Sequence, residues 1–137
     1  MRRVTTTAAA LLGLSLCALL VPTPASAATT VEVTSAKLVA RGVAVDITLT
    51  VTCESGRDGG AEFSLRQRSG DNVAYGSGGT MFTCTGVPQA VIGRVYAESG
   101  GFAFNRGIAL ATGNVSLCTP VDCDYSPRFE GEVRVTR

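Results

Sequence analysis

Residues 43–53 read VAVDITLTVTC, and this stretch decides the fold. Val43, Val45, Ile47, Leu49, Val51 and Cys53 take every second position, with Ala44, Asp46, Thr48, Thr50 and Thr52 between them. A period of two is the repeat of a strand that buries one face, and it does not fit a helix. β-branched residues fill both parities, which suits a pleated surface. The alternation also carries Cys53 to the buried face.

The same reading extends outward. TVEVT (30–34) sets Val31 and Val33 against Glu32, and AEFSLRQR (61–68) sets Ala61, Phe63 and Leu65 against Glu62, Ser64, Arg66 and Arg68. QAVIGRVYA (89–97) places Val91 and Val95 opposite Ile92, Arg94 and Tyr96. FEGEVRVTR (129–137) turns Phe129, Gly131, Val133 and Val135 inward. Turn signals stand between these runs: ARG (40–42), ESGRDGG (54–60), SGDN (69–72), GSGG (76–79), ESGG (98–101) and YSP (125–127). The pattern predicts an all-β chain, an immunoglobulin-like antiparallel β-sandwich of seven or eight strands. The predicted strands are 30–40, 43–53, 61–68, 73–77, 80–84, 89–97, 106–117 and 129–136. In RGIALATGNVSL (106–117), Ile108 and Leu110 have one parity while Val115 and Leu117 have the other. A β-bulge at Gly113 would reconcile them.

The N-terminus has the layout of a secretory signal peptide over residues 1–27. Arg2 and Arg3 precede an apolar run from Ala8 to Val21, and Ala25-Ser26-Ala27 offers a cleavage site. Cys17 falls within the apolar run. The remaining 110 of 137 residues suit one domain, 28–137. It retains 10 basic residues against 11 acidic ones, so no large field draws nucleic acid or an anionic membrane. No further apolar run is long enough to span a bilayer. The expected location is extracellular.

Four cysteines follow residue 27: Cys53, Cys84, Cys118 and Cys123. An even number in a short exported chain predicts two disulfides. Spacing favours Cys118–Cys123 with Cys53–Cys84, and Cys53–Cys118 is the alternative, at the separation of an inter-sheet immunoglobulin bridge. A zinc site would want two close Cys or His pairs, and the chain has no histidine. Metal and cofactor are therefore not expected.

The missing histidine excludes Ser-His-Asp and Cys-His catalysis. Asp122 with Asp124, and Glu130 with Glu132, read as solvated carboxylates, and no enzymatic activity is expected. GSGG follows no strand–loop–helix pattern, so it does not read as a phosphate cradle. Phe102 and Phe104, in GGFAFNRG (100–107), either line a ligand cleft or close the end of the core. With Phe82 and Tyr96 they form the candidate lining for a small apolar ligand.

SLCTPVDCD (116–124), followed by FEGEVRVTR, resembles the C-terminal part of the neocarzinostatin-like apoproteins, which carry a chromophore in a cleft of a seven-stranded sandwich. In that family the other disulfide closes a short loop, whereas Cys53–Cys84 would close a long one. The run of VTC, FTCTGVPQAV and a GIALA strand leading to LC resembles secreted β-sandwich proteins of actinomycetes without an assigned role. The expectation is a non-enzymatic extracellular binding or interaction module. Its partner would be an extracellular protein, a cell-wall component or a small molecule. The alternatives are a carrier of a small apolar ligand and a protease inhibitor that presents the Cys118–Cys123 loop.

Overall fold

The structure, a computed structural model, describes residues 28–126 and 128–137. The signal-peptide reading of residues 1–27 lies outside them. The described residues are all-β: β1 (Thr30–Val39), β2 (Ala44–Thr52), β3 (Asp58–Ser69), β4 (Asn72–Thr83), β5 (Gln89–Ala97), β6 (Gly107–Cys118), β7 (Cys123–Tyr125) and β8 (Phe129–Thr136). A single 3-10 turn, Ala40–Gly42, joins β1 to β2.

The strands run β3-β4-β5-β2-β1-β8-β6, and β6 pairs back with β3. Seven strands thus close into a barrel, with β7 as a short addition beside the end of β6. This corrects the expectation of two separate sheets. Alternation reports which face is buried, and it is identical in a sandwich and in a barrel. Closure depends on edge pairing, which alternation does not encode. Here β1 meets β8 through a short parallel contact, Ala36 opposite Val135 and Lys37 opposite Thr136.

The core follows the predicted parity in β2, β3, β5 and β8. Val45, Ile47, Leu49, Val51, Leu65, Val95 and Val115 are fully buried. Three phenylalanine rings are seated on glycines: Phe82 on Gly59, Phe63 on Gly93 and Phe129 on Gly113. A Cβ at any of these glycines would strike the ring.

Three details differ from the sequence reading. First, β6 carries no bulge, because its pairing with β3 is continuous from Asp58–Cys118 to Arg66–Leu110. Ala109 and Ala111 take the buried positions in phase with Val115 and Leu117, which leaves Ile108 exposed. The bulge lies in β1 instead, between Val33 and Ser35. There it shifts the inward parity from Val31 and Val33 to Ala36 and Leu38, and the extra Thr34 donates its hydroxyl to Thr48 O at 3.1 Å. Second, GSGG is not a turn, and β4 runs through it as one strand. Gly76 and Gly78 let the main chain of β5 approach closely, since a Cβ on either would strike the carbonyl of Tyr96 or Arg94. Third, β7 forms where only a loop was predicted.

Both disulfides lie at one end of the barrel. Cys53–Cys84 joins the ends of β2 and β4, with Cα atoms 5.6 Å apart. Cys118–Cys123 closes the β6–β7 hairpin at a Cα separation of 4.0 Å. This is the pairing that spacing favoured. β4 is bonded to β5 only over Gly76–Gly79, so the two strands part towards the disulfide end. Cys53–Cys84 spans the gap covalently, and the Gln89 carboxamide donates across it to Thr83 O at 3.0 Å.

The opposite end is plugged by Phe104, only 1% exposed. Its N–H donates to Gly42 O at 2.8 Å. The turn beneath it holds three successive residues in the left-handed region, Ala40 (φ 47°), Arg41 (φ 57°) and Gly42 (φ 89°). Gly42 packs directly against the Phe104 carbonyl, where no Cβ would fit.

Candidate functional site

The outward face of β3 carries Glu62 and Ser64, and cross-strand register sets their neighbours. Ser64 stands opposite Ser77 of β4 and Thr112 of β6, and Glu62 stands opposite Gly79 and Asn114. Every one of these neighbours is small or short. Three adjacent strands therefore leave a depression on the outer surface where long side chains would ordinarily cover the sheet.

An open cleft of about 720 Å³ occupies that depression, walled on the β8 side by Ser126 and Arg128. Ser64 Oγ and Thr112 Oγ1 share a hydrogen bond of 2.9 Å on the floor. Arg128 reaches in from the rim, with a guanidinium N–H donating to Thr112 Oγ1 at 3.4 Å. Ser126 is held to β6 like a strand residue. It accepts at Oγ from Val115 N at 2.9 Å and donates its own N–H to Val115 O at 2.7 Å.

A second cleft of about 330 Å³ continues along the same face beside Gly60, Thr80, Met81 and Ser116. Glu62 and Gly79 line both clefts, so they form one trough along β3 and β6. Ser116 Oγ donates to Gly60 O at 3.3 Å, and Met81 projects into solvent on the β4 side. Beyond the other end of the trough, the Arg66 guanidinium lies 5.3 Å from the centre of the Tyr75 ring.

The four aromatic residues read as a candidate lining do not meet. Phe104 plugs one end of the core, as the other reading of that residue has it. Phe82 lies half-buried over Gly59 near the disulfide end. Tyr96 is 59% exposed on the outer face of β5, and Phe102 is 49% exposed on the 98–106 loop. None of them lines the trough.

The carboxylates flanking Cys123 have separate roles. Asp124 pairs with Arg57 at 2.7 Å, and the same guanidinium nitrogen donates to Leu117 O at 3.0 Å, tying β7 to the start of β3. The Asp122 carboxylate accepts from Cys123 N at 2.8 Å, and its main-chain O accepts from Thr119 N at 2.7 Å, which makes a tight hairpin with Val121 at its exposed tip. Arg94 forms a two-point ion pair with Asp46, opposite it on β2, at 2.6 and 2.9 Å. That hydrogen-bonded guanidinium holds the Asp46 carboxyl below its ordinary value.

Among the described residues, no three His, Cys, Asp or Glu side chains cluster to hold a metal ion, and no helix is long and apolar enough to cross a membrane. Sequence reading missed the trough because its floor joins the β3–β4 hairpin to β6, which lies far along the chain. The available signal was the run of small polar residues at outward positions, Ser64, Ser77, Thr112 and Asn114. Neither a protein-family model nor a curated protein sequence matches the chain.

Proposed function

We propose that the protein is a secreted, non-enzymatic binding module that uses the trough on β3, β4 and β6 as its binding face. The observation that carries this reading is the combination of a sizeable polar cleft with a rigid support. The floor strand β3 is paired on both sides from Asp58 to Arg66, so the side chains that would meet a ligand stand on fixed backbone. Glu62 is the one carboxylate lining the trough, and the chain has no histidine to act as a base beside it. Two disulfides are compatible with an extracellular setting.

Strand order supports kinship with immunoglobulin-like sandwiches. Opening the barrel at β3–β4 and β1–β8 leaves the groups β4-β5-β2-β1 and β3-β6-β8. Lettered A to G in chain order, these are the D-E-B-A and C-F-G sheets of that fold.

The test is retention from culture supernatant and cell-wall fractions on the immobilised protein. A second column carries Ser64→Tyr, which fills the cleft floor. Material held by the first and lost from the second supports the reading. Empty columns, or equal retention on both, overturn it.

A further inference from the structure

We propose that the trough takes a neutral oligosaccharide chain, laid along β3 and β6. This inference rests on the trough being the binding face and names the ligand class. The main-chain groups of the floor are engaged in pairing with β4 and β6, so a peptide cannot add there as a strand. Recognition falls to side chains.

Those side chains are hydroxyls, an amide, a carboxylate and a guanidinium: Ser64, Thr112, Asn114, Glu62 and, at the rim, Arg128. Hydroxyls and amides both donate and accept, as sugar hydroxyls do, and the carboxylate accepts from two adjacent hydroxyls at once. Glu62 is exposed at the junction of the two clefts, and its charge is balanced by Arg128 on the rim, so the lining carries no net charge and suits a neutral ligand. No aromatic ring faces the main cleft, since the Phe63 ring is seated inward on Gly93, so a flat aromatic ligand has no ring to stack on there. At the far end Tyr125 stands opposite Ser116 on β7 and is largely exposed. An exposed ring at this position can meet the C–H side of a sugar that runs past Ser116. Because the two clefts share Glu62 and Gly79, the site is longer than one cleft, and binding grows with chain length.

The test starts with an array of neutral glycans probed with the full chain recovered from culture medium. Amide shift mapping follows, with the best glycan as a hexamer and a dimer. The apolar dye 8-anilinonaphthalene-1-sulfonate and a Thr-Val repeat hexapeptide are run in parallel. The expected result is movement of the Glu62, Ser64, Thr112 and Asn114 amides, with the hexamer at least about tenfold tighter than the dimer. Glu62→Gln and Asn114→Ala each weaken the hexamer by about tenfold while the remaining spectrum stays that of the folded barrel. Movement at the trough with the dye or the peptide only overturns the saccharide and keeps the binding face. Glycan binding mapped elsewhere, or no movement at the trough with any probe, overturns both.

Discussion

The side chain of Gln67 pairs with the main chain of Asn105 through both of its polar atoms. Nε2 donates to Asn105 O at 2.8 Å, and Oε1 accepts from Asn105 N at 2.7 Å. Gln67 is buried at an inward position of β3, so its carboxamide extends the sheet by one imitation strand residue and fastens the 98–106 loop. Gln67→Leu keeps the volume and leaves two main-chain groups unpaired. It should destabilise the protein by about 1–3 kcal/mol in urea unfolding. Hydrogen exchange at Asn105 should accelerate more than exchange in β2.

Gly42 and Phe104 form a second joint at the same end. Gly42→Ala forces a side chain into the left-handed region and against the Phe104 carbonyl. A loss of about 1–3 kcal/mol is expected. Phe104→Ala empties the plug itself and should cost about 3–5 kcal/mol. Thermal unfolding should rank the two in that order.

The disulfides should contribute unequally. In the loop-entropy description, Cys53–Cys84 contributes about 3.7 kcal/mol and Cys118–Cys123 about 2 kcal/mol, because the first closes the longer segment. Paired Cys→Ala variants compared by urea denaturation should show the larger loss for Cys53 with Cys84. Equal losses would contradict that loop-length ranking.

Asp46 gives the barrel an acid-sensitive contact. Hydrogen bonding from Arg94 lowers its folded-state pKa below the ordinary value of 3.8, so the ionised form is favoured in the folded protein. Its contribution is fully present above about pH 4 and is lost as pH falls through the depressed folded value. Asp46→Asn should be less stable than the parent at pH 7, and the difference should vanish in strong acid. Parallel melting curves between pH 7 and pH 2 check this. The pair is partly solvated, so salt should narrow the gap at neutral pH.

The sequence is most informative where one residue's environment is set by its own strand. In β2 every inward position follows from alternation, from Val45 to Val51, because all of them meet the same core. The glycines of β4 read as a turn because their requirement comes from another strand: Gly78 is small on account of the Arg94 carbonyl, a tertiary contact. In β6 the larger Ile108 and Leu110 were expected to outweigh the alanines. Val115 and Leu117 set the phase instead, since pairing with β3 leaves no room for a slip. In β1 the bulge lies between Val33 and Ser35, at Thr34, where Thr34 and Ser35 are small polar residues that carry no inward or outward preference. The Cys118–Cys123 bridge was legible from proximity alone. The trough was not, because its floor is assembled by register among β3, β4 and β6, and register is a property of the fold.

Placing both sulfur bridges at one end and the Phe104 plug at the other gives the molecule two poles of unlike chemistry. Reductant attacks only the first, and it should fray there while the aromatic pole keeps its shape. Heat acts on both. A copy held in a thiol-rich compartment would therefore be half loosened rather than unfolded, with the strands nearest Cys84 the first to open to a protease.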